Sequence, residues 1–405
     1  MYAKLVIIGG GAAGIFAAIA AKEANPHASI VLLEKTAVLL SKVRISGGGR
    51  CNVTHACFDP YRLVQHYPRG SKELIGPFHR FQPRDTMDWF ESRGVSLATE
   101  EDGRVFPSTN RSETIIECLL TQAQNLGVEI LLRQRIQHIV CIEDGFTIEL
   151  NNGQTLSSRS MLLATGSSSE GYTWAQHLGH SIQEPAPSLF TFNIPHFALK
   201  ELSGISLEQV RLHIVGSSLT QEGPLLLTHF GLSGPVALRL SAWGARYLKE
   251  KDYRVTLAIH WISLFSQQEI FYHLSQLKTQ APDKLLQTEN VFRLPKNLWR
   301  ALLESLAESA RKCIHDLTLR DLRLLSHKLY ADHYQVEGKT TNKEEFVTCG
   351  GVTLKEIDFK TMQSKICPGL FFAGEMLDID GITGGFNFQN AWTTGFIAGT
   401  SASTF

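Results

Sequence analysis

The sequence predicts an α/β fold built on a nucleotide-binding domain whose two halves lie near opposite ends of the chain, and two observations carry this. Near the start, Leu5-Val6-Ile7-Ile8 is a short apolar run of β type. It leads into Gly9-Gly10-Gly11-Ala12-Ala13-Gly14 and an alanine-rich stretch of helical composition, Ile15 to Ala24. A second apolar run, Ile30 to Leu33, is followed by Glu34. Strand, GxGxxG, helix, strand and acid in this order make the layout of a dinucleotide site. Near the other end, Gly369 to Gly374 reads as a strand, followed by Glu375, an acidic turn at Asp380 and a glycine-rich helix start, Gly384-Gly385-Phe386-Asn387. A nicotinamide dehydrogenase needs only the first half. A protein that holds FAD needs both, because the flavin ring lies far from the adenine.

Each part of the first half has its own reason. Gly9 permits the tight turn, Gly11 lets the backbone approach a pyrophosphate, and Gly14 lets the helix pack on the strand. The helix start at Ala12 and Ala13 offers N–H groups and roughly half a positive charge to phosphates. Glu34 can accept from ribose hydroxyls and disfavours a 2′-phosphate, so this first site is a poor one for NADP. Lys35 and Lys42 follow as further candidate cofactor contacts.

Composition agrees. A chain of 405 residues implies two or three domains, and a hydrophobic content of 43% is ample for their cores. No apolar run approaches the roughly 18 residues of a membrane span. The start of the chain lacks the pattern of a signal peptide, and its apolar run belongs to the nucleotide fold, so a cytoplasmic enzyme is expected. The seven cysteines are scattered without CxxC, which points to neither a disulfide framework nor a metal site. A formal net charge of zero gives the whole chain no nucleic-acid signature.

Along the chain, residues 1 to about 190 alternate strand and helix: Thr114 to Asn125 helical, Val128 to Leu132, Phe146 to Leu150 and Ser160 to Ala164 as strands, with a hairpin turn at Asn151-Asn152-Gly153. Residues 191–340 change character. A β unit over about 191–262 holds the runs Val210 to Val215 and Val255 to Ile259. A helical unit over about 267–334 shows Leu298, Leu302, Leu303 and Leu306 at helical spacing. From about Thr341 the strand-and-glycine style returns. The expected domains are therefore 1–190 with 341–405, interrupted by 191–340.

Several long motifs now resemble a known family. They are Ser46-Gly47-Gly48-Gly49-Arg50-Cys51-Asn52, Gly103 to Pro107, Leu163-Ala164-Thr165-Gly166, Thr228-His229-Phe230-Gly231-Leu232-Ser233-Gly234-Pro235, Val347 to Ile357 with Thr361 to Lys365, and Gly374 through Gly399. Together they resemble the bacterial NAD(P)/FAD-dependent oxidoreductases of the BaiN/RdsA type, also called YhiN-like or aminoacetone-oxidase-like. The resemblance implies a two-dinucleotide-binding-domain flavoprotein, a Rossmann-like FAD domain with an inserted β-barrel and helical domain. It also places the Ser46–Asn52 loop beside the pyrophosphate and the flavin ring. Two departures stand out: the loop after Gly166 is cut to Ser167-Ser168-Ser169, and Thr54-His55 replaces the usual Thr-Asn.

Reactivity in such proteins lives on the flavin, and the chain supplies position and charge. Gly384, Gly385, Phe386 and Asn387 at a helix start would aim N–H groups at the flavin N1/O2 edge. Arg50 can neutralise a phosphate or hold a substrate carbonyl. Cys51 is either a proton donor, its pKa lowered by Arg50, or a small packing residue. His229 is either a substrate contact or an ordinary histidine. No second GxGxxG is found, so NAD(P)H would dock transiently. By resemblance the substrates are conjugated C=C bonds, including bile-acid enones and uridine in ribosomal RNA. Residues 61–84 carry Arg62, Arg69, Lys72, Arg80 and Arg84 among Tyr61, Tyr67, Phe78 and Phe81. The stretch 295–330 carries Lys296, Arg300, Arg311, Lys312, Arg320, Arg323 and Lys328 against Glu304, Glu308, Asp316 and Asp321. These are candidate RNA surfaces. The alternatives are a small-molecule reductase or oxidase, and a binding protein with structural FAD.

Overall fold

A computed structural model describes residues 2–306, 312–340 and 347–405. Arg311, Glu308 and the expected boundary at 341 lie outside the described residues. The chain divides into two compact units, Met1–Pro187 with Asn342–Phe405, and Ser188–Thr341.

Five parallel strands form the centre of the first unit. Their order is Glu129–Leu131, Ile30–Leu33, Tyr2–Ile8, Thr155–Leu163 and Leu370–Phe372. The last strand, some two hundred residues distant in sequence, pairs Leu370 with Met161 and Phe372 with Leu163. It thereby brings the C-terminal glycine motif to the same sheet edge as the N-terminal one. Leu5, Val6 and Ile7 are wholly buried, as the central strand of a parallel sheet covered on both faces requires. The first half of Thr155–Leu163 instead pairs antiparallel with Gly145–Leu150, through the Asn151-Asn152-Gly153 turn, and Gly145–Leu150 pairs with Ile136–Ile142.

Two helices lie together on this sheet, Ala12–Ala24 and the C-terminal Phe386–Thr404. They approach so closely that a β-carbon on Gly395 would stand 2.7 Å from the Ala13 carbonyl oxygen, and one on Gly399 would stand 2.1 Å from that of Ala17. Alanine on one helix and glycine on the other are what this spacing requires.

The second unit is a seven-stranded sheet in the order Asp332–Glu337, Arg254–His260, Ser206–Ile214, Thr220–Thr228, Gly231–Ser233, Thr191–Asn193, Lys339–Thr340, all pairs antiparallel. Its core gathers Phe190, Phe192, Trp261 and Trp299. The expected barrel takes the form of an open path among the described residues, with two end strands not paired to each other. The final strand is only two residues long and satisfies one neighbour. Helices at Gln267–Gln280, Lys296–Glu304 and Leu319–Tyr330 follow the leucine spacing. The helical stretch ends at Tyr330 rather than 334, because Asp332–Glu337 alternates buried and exposed residues and joins the sheet. Pro235–Trp243 and Ala245–Glu250 are helices within the stretch read as β. Strands flank each junction between the units as neighbours: Ile182–Ser188 pairs with Val347–Val352, and Thr191 pairs with Thr340.

Candidate functional site

The glycines of the first loop divide into those that are walled in and one that is open. Gly9 has φ +113, and a β-carbon there would lie 2.4 Å from the Ala164 carbonyl oxygen. A β-carbon on Gly14 would lie 1.9 Å from the Gly9 oxygen. At Gly11, by contrast, nothing stands within 4 Å. Gly11 is also the N-cap of the Ala12–Ala24 helix and provides no side-chain cap. The first N–H groups of a helix have no intrahelical partners and face such an opening as an anion site. Glu34 braces the loop: Oε2 accepts from Gly10 N–H at 2.9 Å and Oε1 from Thr36 N–H at 2.8 Å.

The second loop leaves helical geometry at Ser46, near the end of the Ser41–Gly49 element, and runs through Gly47, Gly48 and Gly49 at φ +58, +68 and +83. Open space lies beside Gly48 and Gly49, whereas Gly47 lies against Phe106 and Asn52. Arg50 pairs with Glu100 at 2.8 Å and lies over the Phe106 ring at 3.9 Å. Cys51 is fully buried and sits in left-handed backbone at φ +62. Burial pushes its thiol up to about 12, against a smaller downward effect of a hydrogen bond with the Ser46 side chain. The expected lowering by Arg50 does not occur, since that guanidinium serves Glu100 and desolvation dominates.

Asn52 ties this loop to the far end of the chain. In the amide orientation that satisfies its neighbours, its oxygen accepts from Gly385 N–H at 3.0 Å and its nitrogen donates to the Thr54 and Val105 carbonyls. Gly385 has φ +90, and a β-carbon there would strike the Thr54 backbone at 2.5 Å. The Asn387 side chain closes the 381–387 turn by accepting from Gly381 N–H and donating to its carbonyl, both at 2.8 Å. Phe386 is buried, stacks on His55 at 4.7 Å and His66 at 4.3 Å, and its carbonyl accepts from the Tyr67 hydroxyl at 2.6 Å. The departure at Thr54-His55 thus has a physical role, the histidine serving as a packing ring. Asp380 is fully buried and receives a two-pronged hydrogen bond from Arg69.

The third element of the site is the strand end at Thr165 and Gly166. Gly166, at φ +62, lies beside Glu375, whose carboxylate pairs with Lys42. Thr165 donates to the Met376 sulfur at 3.2 Å. Gly374, at φ +67, donates its N–H to Thr394 at 2.9 Å, and a β-carbon there would press on Ala13 at 2.9 Å. Lys35 is exposed and pairs with Glu170 at 2.7 Å, close after the shortened loop. The Gly11, Ser46–Asn52, Thr165–Gly166, Gly374–Glu375 and Gly385 motifs are therefore linked to one another through the central sheet and its two helices.

His229 belongs to the second unit. It is exposed with Phe230 at the tip of the two-residue turn that joins Thr228 to Gly231. Among the RNA candidates, Arg69 is engaged with Asp380, and Tyr67, Phe78 and Phe81 are core residues. The interleaved aromatic surface expected over 61–84 thus shrinks to Tyr61, with Arg62, Lys72, Arg80 and Arg84 exposed. Arg80 donates to the Lys360 carbonyl, and Arg84 lies over Phe58. In the helical stretch, Lys312 pairs with Asp321 and Lys328 with Asp332. Sequence reasoning did not find Glu100, Phe106, His66 or the Arg69–Asp380 pairing. Glu100 and His66 lie in no motif, Phe106 lies in Gly103 to Pro107 without an assigned role, and Arg69 and Asp380 were read as separate RNA and cofactor contacts.

A family model described as the HI0933-like protein Rossmann domain matches residues 3–401. The chain belongs to the HI0933-like family. It is 28% identical over 400 residues to a ribosomal RNA dihydrouridine synthase of Escherichia coli (strain K12), covering 96% of this chain and 95% of that protein. A ribosomal RNA dihydrouridine synthase of Haemophilus influenzae is 29% identical over 418 residues, with 99% of each covered. A 3-dehydro-bile acid delta(4,6)-reductase of Clostridium scindens is 26% identical, again over 99% of each. In fold, the chain is similar to the 3-ketosteroid-delta4-(5alpha)-dehydrogenase of Rhodococcus jostii RHA1, with a TM-score of 0.52 at 14% identity, covering 99% of this chain and 97% of that one. Family and fold make this HI0933-like chain a Rossmann-type flavoprotein and an FAD-dependent oxidoreductase. Among the described residues, no helix is long and apolar enough to cross a membrane.

Proposed function

We propose that the protein reduces a C=C bond with electrons from NAD(P)H, and that its substrate is uridine in ribosomal RNA, which becomes dihydrouridine. The observation that carries this reading is the joined cofactor site on a chain that aligns along nearly its whole length with two ribosomal RNA dihydrouridine synthases. The residues fit FAD: the space at Gly11 before an uncapped helix N-terminus suits a pyrophosphate, and Gly48 and Gly49 keep their surroundings clear of side chains. In this reading Gly9 to Gly14, Glu34, Ser46 to Asn52, Thr165, Gly166, Gly374, Glu375 and Gly384 to Asn387 hold the cofactor, with Lys35, Lys42 and Asp380 supporting its loops. FAD, when bound, carries the hydride. NAD(P)H docks transiently and leaves.

The chain's own part is to hold the loops, exclude water and supply a proton. Burial keeps Cys51 as the thiol, and in this reading that thiol is the proton donor. Arg62, Lys72 and Arg84 offer phosphate contacts, and His229 with Phe230 an exposed ring pair for a base. A cytoplasmic setting follows from an RNA substrate.

A small-molecule reading draws on the bile-acid reductase at similar identity. The two are separated by reducing the FAD-loaded enzyme with NADPH without oxygen and mixing it with unmodified ribosomal RNA or with a steroid enone. Rapid return of flavin absorbance with RNA alone supports the proposal. Return with the enone alone replaces it. A flavin that NADH and NADPH both fail to reduce points to a structural cofactor.

A further inference from the structure

Seven cysteines without a CxxC gave no reason to expect a pair, yet the fold brings two together from 226 positions apart: the Cys367 and Cys141 sulfurs stand 3.7 Å from each other in the first unit. Their surroundings differ. Cys141 lies on the exposed strand Ile136–Ile142, which among the described residues pairs only with Gly145–Leu150. Cys367 is buried in the turn that precedes the Leu370–Phe372 strand.

That turn is clamped. The Ser364 hydroxyl oxygen accepts from the Cys367 N–H at 2.7 Å and from the Ile366 N–H at 2.9 Å. It is bonded in turn to His180 Nε2 at 2.8 Å, and His180 Nδ1 lies 2.9 Å from Glu356 Oε2, which also accepts from Ser181 N–H. Both lone-pair directions of the serine oxygen are taken by backbone donors, so this Ser–His–Glu chain is a structural clamp rather than a nucleophile. Its effect is to fix one sulfur of the pair in place while the other sits on an edge strand facing solvent.

We propose that Cys141 and Cys367 are a peroxide-oxidisable dithiol that closes reversibly to a disulfide. A disulfide bond is about 2.05 Å long, so the sulfurs must approach by roughly 1.7 Å, within reach of a side-chain rotation on the Cys141 strand. The exposed Cys141 sulfur attacks hydrogen peroxide: an S–O bond forms, the O–O bond breaks, the released hydroxide takes up the Cys141 proton as the first water, and Cys141 becomes a sulfenic acid. The Cys367 sulfur then attacks the Cys141 sulfur. The S–S bond forms, the S–O bond breaks, and the departing hydroxide takes the Cys367 proton as water. In sum, two thiols and one hydrogen peroxide give a disulfide and two waters. Burial holds the Cys367 thiol up at about 12, which keeps it from reacting with peroxide itself; its part in the second step rests on the 3.7 Å approach of the two sulfurs. The bond would staple the 136–150 hairpin to the segment entering Gly374 and Glu375.

The test uses the whole FAD-loaded protein with a small excess of hydrogen peroxide, then alkylation and digestion without reductant. The expected product is one linked peptide pair containing Cys141 and Cys367, about 2 Da lighter than the two free peptides. Titratable thiols in denaturant should fall from seven by two and return with dithiothreitol. Cys141→Ser, an exposed change that leaves the fold intact, should abolish both the link and the loss of the Cys367 thiol. Sulfinic acid at Cys141 beside an unmodified Cys367, a link between other cysteines, or an unchanged thiol count would each overturn the proposal.

Discussion

At the scale of single residues, the site separates positions that shape the protein from positions that shape the ligand. Gly11 and Gly14 share a motif and differ in what surrounds them. Gly11→Val places its side chain where nothing stands within 4 Å, so the variant should fold and melt near the parent temperature. It should be isolated without FAD, read as the loss of flavin absorbance. Gly14→Ala forces a β-carbon to 1.9 Å from the Gly9 oxygen. It should cost about 4 kcal/mol or fail to fold, the range reserved for such clashes. Breaking the buried Arg69–Asp380 pair leaves an uncompensated charge. Asp380→Asn should therefore lower stability by about 3–5 kcal/mol in denaturant titration. Cys51→Ala divides two roles. If the thiol supplies the proton, flavin reduction by NAD(P)H persists and product formation falls by about a hundredfold or more. An unchanged reaction of reduced enzyme with substrate assigns Cys51 to packing. The turn and helix start at Gly9 to Gly14 were legible because a glycine pattern is local, whereas the Ser46–Asn52 loop was placed by resemblance to a family. That Arg50 turns to Glu100, and that Cys51 rises rather than falls in pKa, depends on burial, which no local pattern encodes.

At the scale of elements, strands and helices with strong periodicity were read to within a few residues, and the errors have causes. The helical reading ran on to 334 because these residues follow leucine-rich helices, but the alternation over Asp332–Glu337 serves an edge strand beside Arg254–His260. That same sheet makes a pH prediction. His260 is buried, lies directly across from Arg211 in the strand pairing, and packs on Tyr330 at 4.5 Å. Desolvation first, then the Arg211 charge, lower its pKa from 6.5 to about 4, with a smaller opposing effect of Glu222. Between those values the unfolded chain binds a proton that the folded chain refuses. Stability is therefore fully present above pH 6.5 and declines as pH falls towards 4. His260→Gln should reduce the drop in unfolding midpoint between pH 7 and pH 5 relative to the parent. An equal drop in both proteins would remove His260 from the acid sensitivity.

At the scale of the whole molecule, the legible part was the joining of two chain ends on one sheet, because each end carries its own glycine signature. Less legible was the outer surface. Tyr67, Phe78 and Phe81 looked like stacking rings beside arginines, but they pack inward against the C-terminal helix and its loop. Charge and aromatic counts cannot tell an inward ring from an outward one. The proposed phosphate contacts are thus Arg62, Lys72 and Arg84. Their joint replacement by Ala should weaken RNA binding and flatten its salt dependence by about one unit of slope per lost contact, with flavin content unchanged. Binding that matches the parent at every salt concentration would move the RNA surface elsewhere. The central claim is that this FAD-dependent enzyme hydrogenates uridine. It is met most directly by incubating unmodified ribosomal RNA with the purified protein and NADPH and mapping nuclease fragments by mass. The account predicts a gain of about 2 Da at a defined uridine, absent without enzyme or without NADPH. RNA whose every fragment keeps its mass, under conditions where the same preparation reduces a small enone, would contradict it.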